Sequence, residues 1–342
     1  YNMAKIITLG EIMLRLSTPS FQRFLQTESF DATYGGGEAN VSVSLAQWSH
    51  QAFFMTQLPK NDLGLSARNH LRRYGVSTEH IKYEGERLGI YFLETGASMR
   101  PSKVIYDRKD SAIAEINPAL FDLNNIFKGV DWFHFSGITP ALSEKASAFT
   151  KACLIEAKKQ GVMVSVDLNY RKKLWTPSQA QKVMVPLMEY VDVCIGNEED
   201  HETVLGFKPK GVDVEKGELN LQGYEAIFKE LKETFGFRYV ASTLRTSFSA
   251  TKNGWQGLLY DGKDFYVSKA YTIEPIIDRV GGGDAFSAGL IHGILTKKAE
   301  DAIEYAVAAS ALKQTIPGDF NIISIDEVES LVKGNTSGRV QR

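Results

Sequence analysis

The chain has 342 residues, with 39 Lys and Arg against 41 Asp and Glu, which gives a formal net charge of −2. A charge this close to zero provides no global field for nucleic acid or an anionic membrane, so we expect a small-molecule substrate. No apolar run reaches about 18 residues and no basic segment precedes an apolar one, so we expect neither a membrane span nor a secretory signal, and we expect a cytoplasmic protein.

Short β-branched runs alternate with longer helical patterns along the chain, without an internal repeat or a long linker. The predicted strands are Lys5–Leu9, Ala52–Gln57, Trp132–Ser136, Met163–Asp167, Val191–Gly196, Tyr239–Thr243, Gln256–Tyr260 and Asp264–Ser268. The predicted helices are Ala39–Trp48, Leu63–Tyr74, Glu144–Gln160, Pro177–Tyr190, Tyr224–Thr234, Ala285–Leu295 and Ala299–Thr315. This alternation predicts an α/β fold with a mostly parallel central sheet, helices on both faces and ligands at the carboxyl ends of the strands.

Four further strands have mixed polarity and no helix between neighbours. They are Ile12–Leu16, Phe30–Tyr34, Gly89–Glu94 and Lys103–Tyr106. This pattern predicts a small antiparallel sheet with one exposed face, partly apolar through Ile12, Leu14, Ile90 and Phe92. We expect one domain over 3–333, with these strands inserted at about 11–34 and 88–109, and a disordered tail over 334–342.

The two cysteines and one histidine are expected to belong to the core. Cys153 lies in a helical pattern and Cys194 in a strand pattern, which predicts reduced thiols and argues against metal ligation by cysteine. His134 alternates within an apolar strand, so we expect it to pack in the core.

The run from Asp278 to Phe286, DRVGGGDAF, is the most informative segment. Its glycines, Gly281, Gly282 and Gly283, permit a tight turn and leave N–H groups open at the start of a helix, where the dipole favours an anion. Asp284 follows directly, where a carboxylate can accept a proton from a nucleophilic hydroxyl. A plain loop with Asp284 as a helix cap is the alternative.

This run resembles the C-terminal signature of the ribokinase-like (PfkB) carbohydrate kinases, in which a Gly-Ala-Gly-Asp core supplies the anion hole and the catalytic base. Gly282 replaces the usual Ala, and Arg279 stands where Thr is common. The resemblance implies a ribokinase-like fold, an ATP-dependent kinase, and catalytic roles for Asp284 and the three glycines. It also implies that the small sheet is a lid over the sugar and a contact in a homo-oligomer.

A second glycine-rich junction, Gly35-Gly36-Gly37-Glu38-Ala39-Asn40, connects a predicted strand to a predicted helix. On physical grounds it is either a tight turn or a close approach of backbone to a ligand. It resembles the family segment Gly-Gly-Ala-Pro-Ala-Asn, which implies that Gly35, Gly36, Gly37 and Asn40 bind sugar hydroxyls. Glu38 replaces the Pro of that segment.

Two segments point to an acidic substrate. Asp167-Leu168-Asn169-Tyr170-Arg171 leaves a strand end and resembles the Asp-x-Asn-x-Arg motif of 2-keto-3-deoxygluconate kinases. That motif implies Asn169 near the nucleotide phosphates and Arg171 at the substrate. Tyr91, Tyr106 and Arg108 resemble the lid of the same kinases, with Arg108 and Arg171 on the carboxylate, since Arg binds carboxylates with a planar fork. Solvated arginines at a strand end and on a lid are the alternative.

The remaining candidates concern the nucleotide and the metal. Asn197-Glu198-Glu199-Asp200 resembles the family's Asn-x-x-Glu motif, which implies that Asp200 or Glu199 holds hydrated Mg²⁺ through water, with no direct protein ligand. Thr243 and Arg245 occupy the nucleotide-site segment, where many relatives have Lys-x-Gly. Asp319 resembles a late acidic residue near the sugar. An acidic helix start and a turn Asp are the simpler alternatives.

The resemblance extends from Gly10 to about Asp319 and favours a 2-keto-3-deoxygluconate kinase that uses ATP and Mg²⁺ to phosphorylate the 6-hydroxyl. Another sugar kinase of the fold, such as a fructokinase or a 5-dehydro-2-deoxygluconate kinase, is the nearest alternative. A dinucleotide-dependent oxidoreductase is disfavoured because the first strand is not followed by Gly-x-Gly-x-x-Gly. A non-catalytic sugar sensor is disfavoured by Asp284 and the glycine run.

Overall fold

The computed structural model describes residues 3–207 and 221–336. The β-strands are β1 Lys5–Leu9, β2 Met13–Ser17, β3 Asp31–Gly35, β4 Gln51–Leu58, β5 Ile81–Tyr83, β6 Ile90–Glu94, β7 Lys103–Asp107, β8 Trp132–Ser136, β9 Met163–Asp167, β10 Val193–Ile195, β11 Tyr239–Ser249, β12 Lys252–Tyr260, β13 Phe265–Val267 and β14 Tyr271–Ile273. The α-helices are α1 Gly37–Gln47, α2 Asp62–Arg73, α3 Leu123–Ile126, α4 Ile138–Leu142, α5 Glu144–Lys159, α6 Pro177–Leu187, α7 Glu198–Leu205, α8 Leu221–Phe235, α9 Gly282–Thr296, α10 Ala299–Lys313 and α11 Ile325–Val332. Two 3₁₀ turns cover Pro118–Leu120 and Met188–Tyr190.

The main sheet has the strand order β13-β12-β11-β10-β9-β8-β1-β4-β5, with β14 also paired to β12. Its strands from β11 to β5 are parallel, and β12, β13 and β14 add antiparallel pairs at one side. Side chains of β8 alternate between two cores: Phe133 and Phe135 pack with α5, α6 and α8, whereas Trp132 packs with α1, α9 and α10. A sheet covered on both faces confirms the predicted ribokinase-like α/β class.

The second sheet, in the order β3-β2-β6-β7, is called here the lid sheet. The prediction of a fully antiparallel lid was wrong, because β2 and β6 pair in parallel. Between β2 and β6 the chain includes α1, β4, α2 and β5. A crossover of this length allows β6 to run in the same direction as β2. Ile12 was also misplaced: it lies just before β2, is 1% exposed and packs in the core. Leu14, Ile90 and Phe92 remain partly exposed on the outer lid face.

Small residues allow α9 to pack closely against α10. On α9, a Cβ at Gly289 or Gly293 would lie 2.7 Å from the Cα of Ala306 or Ala302 on α10. This close approach places the C-terminal turn of α10 beside the first turn of α9, while α1 packs on the other side. The N-termini of α1 and α9 therefore open at the same edge of the main sheet.

Both cysteines are buried and free, and burial raises the pKa of each thiol well above its ordinary value, which confirms their core assignment. His134 is 1% exposed, as expected for a core residue. Among the described helices, none is long and apolar enough to cross a membrane. Most of the predicted tail, from 337 to 342, lies outside the described residues.

Candidate active site

Asp284 and Asn40 face each other at the edge of the main sheet. The Nδ2 of Asn40 donates to the Oδ2 of Asp284 at 2.7 Å, and the Oδ1 of Asn40 accepts from the backbone N–H of Gly36 at 3.2 Å. A Cβ at Gly37 would lie 3.5 Å from the Oδ1 of Asp284. The two predicted glycine junctions are thus brought together, and Asn40 uses its amide to orient the proposed base.

The glycines of the run from Asp278 to Phe286 are of two kinds. Gly281 has φ 83°, in the left-handed region, and a Cβ there would lie 2.1 Å from the carbonyl oxygen of Asp319. A Cβ at Gly283 would meet nothing within 4 Å among the described residues, and no side chain caps α9. Gly281 is therefore required by the backbone, whereas Gly283 borders open space at a helix N-terminus, where an anion is favoured. We call Gly281–Asp284 the anion cradle.

The carboxyl of Asp284 has a pKa raised to about 7. Burial is the main cause, and the charges of Asp319 and Glu38 act in the same direction. The hydrogen bond from Asn40 and the charge of Arg171 oppose the shift. A carboxylate with a pKa near the working pH is well suited to accept a proton from a hydroxyl.

Asp167, at the end of β9, lies within electrostatic reach of both Asp284 and Asp200, which is in the first turn of α7. Burial raises the pKa of Asp167 well above its ordinary value, and the charges of Asp200 and Asp284 add to the shift. Burial also raises the pKa of Asp200, against hydrogen bonds from the backbone N–H groups of Asn197 and Tyr170. Among the described residues, no group of three or more His, Cys, Asp or Glu could ligate a metal directly. Two adjacent carboxylates fit an ion such as Mg²⁺, which retains several waters.

Asn169 and Arg171 occupy the loop after β9. Asn169 has φ 40°, which is uncommon for a residue other than glycine and reflects a sharp turn there. Arg171 is exposed, and its charge lowers the pKa values of Asp167, Asp200 and Asp284. The predicted substrate arginine therefore lies within electrostatic reach of the base.

Asp319 connects the lid sheet to the anion cradle. Arg15 on β2 donates from Nη1 to Asp319 at 2.7 Å and from Nη2 to Asp278 at 2.5 Å, and all three side chains are buried. The hydroxyl of Tyr91 on β6 contacts both carboxylate oxygens of Asp319, at 2.6 and 2.7 Å. A Cβ at Gly35 would lie 2.0 Å from the Asp319 Oδ2. Asp319 and Tyr91, both predicted to bind substrate, thus bind each other here.

Burial alone would lower the pKa of Arg15, but the charges of Asp319 and Asp278 raise it above its ordinary value. The pKa of Tyr91 is raised well above its ordinary value by burial and by Asp319. Arg15 therefore stays charged and Tyr91 stays a donor over the working range of pH. We call Arg15, Asp278 and Asp319 the lid triad.

Arg108 is held by Glu11 rather than left in solvent. Its Nε donates to the Oε2 of Glu11 at 2.9 Å, its Nη2 donates to the same oxygen, and the Arg108 side chain is 8% exposed. The guanidinium lies 5.2 Å from the ring centre of Tyr106, and that ring lies 6.0 Å from the ring of Tyr91. The predicted lid residues Tyr91, Tyr106 and Arg108 are thus neighbours.

Glu38 points into the protein. Its Oε1 accepts from Ser136 Oγ at 2.6 Å, from Ser136 N at 3.1 Å and from Thr139 Oγ1 at 2.8 Å. A Cβ at Gly10 would lie 2.2 Å from the Glu38 Oε2. Burial raises the pKa of Glu38, against those hydrogen bonds. The carboxylate that replaces the family's proline ties α1 to the end of β8.

The residues proposed to bind the nucleotide lie at the start of α7 and within β11. Asn197 and Asp200 form a reciprocal helix cap at the start of α7, and Glu199 beside them is exposed. Thr243 and Arg245 lie within β11, which continues past the predicted end. The charge of Arg245 adds to burial in lowering the pKa of Arg279, so Arg245 approaches the segment before the anion cradle.

Three of the residues that hold this site together had no assigned role in the sequence: Arg15, Glu11 and Lys313. Arg15 carries a usable signal, because with Met13 it occupies the inward side of β2, where a cation requires a carboxylate partner. Glu11 and Lys313 carry no comparable local signal, since charged residues beside a strand or at a helix end are usually solvated.

A buried carboxyl opposite a glycine-rich helix N-terminus, within an α/β fold of this kind, is typical of small-molecule phosphotransferases. The model of the "pfkB family carbohydrate kinase" matches residues 3–323, and the chain belongs to this family. It is therefore a carbohydrate kinase.

Individual relatives align with nearly the whole chain. A 2-dehydro-3-deoxygalactonokinase of Haloferax volcanii is 32% identical over 338 residues, which cover 98% of this chain and 98% of the relative. A 2-dehydro-3-deoxygluconokinase of Bacillus subtilis is 26% identical, covering 92% of this chain and 91% of the relative. The crystal structure of 2-dehydro-3-deoxygluconokinase from Thermotoga maritima aligns with a TM-score of 0.93 at 50% identity, over 98% of this chain and 99% of that chain.

The lid triad generates a stability prediction. Asp319→Asn removes one of the two buried carboxylates that neutralise Arg15, and breaking a buried pair in this way costs about 3–5 kcal/mol. Urea unfolding measures this loss. The control is Glu115→Gln, which breaks the exposed pair of Glu115 with Lys145 and is expected to cost less than about 1 kcal/mol. Equal losses in the two variants would show that the triad does not stabilise the fold.

Proposed function

We propose that this carbohydrate kinase phosphorylates the 6-hydroxyl of 2-keto-3-deoxygluconate, also called 2-dehydro-3-deoxygluconate, with ATP as the donor. The observation that carries the proposal is the presence of two arginines, the buried Arg108 and the exposed Arg171, because a neutral sugar needs no cationic partner. Relatives that act on the gluconate-derived and on the galactonate-derived acid are both similar to this chain. The gluconate-derived acid is preferred because of the 50% identity to the Thermotoga maritima kinase.

Arg108 is arranged to bind a carboxylate while it remains bound to Glu11. Glu11 accepts from Nε and Nη2, and no hydrogen bond from Nη1 is recorded in the described part of the chain. A guanidinium has five N–H donors in a planar fork, so its Nη1 edge remains for a second carboxylate. Glu11 thus fixes the orientation of Arg108, and Arg171 supplies the second positive charge.

Proton transfer is assigned to one oxygen of Asp284. Asn40 binds Oδ2, which leaves Oδ1 to accept the proton of the 6-hydroxyl. The 6-oxygen of the sugar attacks the terminal phosphorus of ATP as the bond from that phosphorus to the bridging oxygen breaks and ADP leaves. The N–H groups of the anion cradle bind the phosphoryl oxygens, on which negative charge is spread during transfer.

The nucleotide residues complete the proposal. Asn169 and Asn197 are assigned to the phosphate side, and Thr243 and Arg245 to the nucleotide side. Mg²⁺, when bound, neutralises charge between the phosphates. Asp200 or Glu199 would hold its waters, and the half-buried Asp167 lies close enough to share that role.

Replacement of the base tests the reaction. Asp284→Asn is expected to lower kcat by about 10²–10⁴ while nucleotide binding and the free energy of unfolding stay near those of the wild type. In the wild type, only ionised Asp284 accepts a proton, so kcat/KM should rise as the pH increases through about 7. Asp326→Asn, at an exposed position in the first turn of α11, is the control and should match the wild type. Near-normal turnover by Asp284→Asn would remove Asp284 from this role.

Substrate class is tested by Arg108→Ala and Arg171→Ala. Each is expected to raise KM for the sugar acid about ten- to over a hundred-fold, because a hydrogen bond to a charged group contributes about 1.5–3 kcal/mol. Turnover of a neutral analogue should hardly change. Arg87→Ala is the control, since Arg87 lies near the same lid but forms a partly exposed pair with Asp107. The assay uses both the gluconate- and galactonate-derived acids, and equal losses for acid and neutral sugars would favour a neutral sugar as substrate.

We also propose that the chain forms a homo-oligomer through the outer face of the lid sheet. Leu14 and Leu16 of β2 lie opposite Ile90 and Phe92 of β6, so four apolar side chains are adjacent on that face. Ile105, paired with Phe92, is 53% exposed. Exposed contiguous apolar surface of this kind marks interaction sites.

Light scattering at micromolar concentration is expected to give at least a dimer mass for the wild type and a monomer mass for Ile105→Asp. The control is Ile155→Asp on α5, where an apolar side chain is 46% exposed on a different surface. A monomeric wild type in the presence of substrate would contradict the assembly.

A further inference from the structure

Lys313, the last residue of α10, is 0% exposed. Lysine is almost never fully buried unless its charge is compensated. Its Nζ donates to the carbonyl oxygen of Asp278 at 3.1 Å, and Asp278 is the residue that begins the glycine-rich run. The mechanism described above does not use this ammonium group.

The C-terminal turn of α10 forms hydrogen bonds with the anion cradle and with the residues just before it. The carbonyl of Gln314 accepts the N–H groups of Ile277 and Asp278, at 2.9 and 3.2 Å. Ser310 donates from Oγ to the carbonyl of Gly282 at 2.6 Å. Lys313 lies between Ser310 and Gln314 in sequence. This turn therefore contributes three groups, namely the Ser310 hydroxyl, the Lys313 ammonium and the Gln314 carbonyl, which bind the cradle or the residues just before it.

These contacts orient one peptide unit before the cradle and one within it. In a trans peptide, the C=O of one residue and the N–H of the next point in opposite directions. Because Lys313 draws the Asp278 carbonyl towards α10, the N–H of Arg279 points away from α10. Because Ser310 binds the Gly282 carbonyl, the N–H of Gly283 points away from the Ser310 hydroxyl.

The charges around Lys313 belong to the same site. Burial lowers the pKa of Lys313, while Asp278, Asp319 and Asp284 oppose that shift and Arg15 adds to it. Three carboxylates therefore face two cations, and one of those carboxylates is the proposed base. Without the ammonium, only Arg15 would remain in that set to balance Asp278, Asp319 and Asp284.

We propose that Lys313 is a positioning residue for phosphoryl transfer, whose internal ammonium group anchors the Asp278 carbonyl and keeps the anion cradle in its anion-binding conformation. The proposal rests on the family's kinase activity and not on the identity of the sugar. It acts through backbone geometry, so Lys313 itself contacts neither substrate.

The test compares Lys313→Met, which keeps most of the side-chain volume, with Lys297→Met as the control. Lys297 follows α9, is partly buried and pairs with Glu329 at 2.8 Å, away from the cradle. Activity is measured on whichever carbohydrate the wild type phosphorylates and is expressed per folded molecule. Lys313→Met is expected to lower kcat about ten- to a hundred-fold, the equivalent of one charged hydrogen bond, with a smaller change in the KM of the sugar. Lys297→Met is expected to leave kcat unchanged.

Two further readouts separate positioning from structural support. In Lys313→Ala, added n-propylammonium chloride should restore part of kcat, because it supplies the missing chain and charge, whereas it should not affect Lys297→Ala. In the wild type, kcat should fall on the alkaline side as the ammonium loses its proton, and this limb should be absent from Lys313→Met. The wild-type profile can be measured even if a variant folds poorly.

The proposal is overturned if Lys313→Met keeps wild-type kcat. It is also overturned if its loss of activity matches its loss of folded protein, with no rescue by propylammonium and an unchanged alkaline limb. Because the sugar is chosen by wild-type turnover, a failure of the proposed sugar-acid substrate leaves this test intact.

Discussion

The site depends on one buried ionic contact, in which Arg15 lies between Asp278 and Asp319. A buried charge is costly unless it is paired with good geometry, so each of these side chains is stable only while the others are present. Arg15 belongs to the lid sheet, Asp278 precedes the anion cradle, and Asp319 follows α10. The contact therefore forms only when three segments that are distant in sequence are already together, which couples the lid to the catalytic edge of the main sheet.

The same constraint explains why the glycines within each glycine-rich junction have different roles. Gly36 lies against the carbonyl oxygen of Glu11, where a Cβ would be 1.9 Å away, and Gly35 and Gly281 lie equally close to Asp319. These glycines allow the strand ends, the lid and the cradle to approach. At Gly37 and Gly283 no such clash exists, so their lack of a side chain leaves room for a ligand instead. Sequence alone does not distinguish the two kinds.

Elements with a continuous apolar signal were predictable to the residue. Strands β8 and β9 match their predicted bounds, because both are buried on both faces. β11 was predicted to end at Thr243 but continues to Ser249, since its later side chains are exposed while its backbone still pairs with β12. Motif resemblance assigned Asn40 and Asp284 to the site separately, but it did not predict the hydrogen bond between them. Arg15 was missed because its carboxylate partners are 263 and 304 residues away, and no local pattern encodes such a pairing.

The electrostatic character of the base follows from this architecture. A carboxyl at its ordinary pKa of 3.8 would be a weak acceptor for a hydroxyl proton at neutral pH. Burial of Asp284 and the nearby charge of Asp319 both raise its pKa, while the hydrogen bond from Asn40 stabilises the ionised form and limits the rise. The balance places the pKa near 7, so at neutral pH about half of the carboxyl groups are ionised and able to take the proton. The contact that joins the lid sheet to the core therefore also helps to raise the pKa of the proposed base, since Asp319 takes part in both.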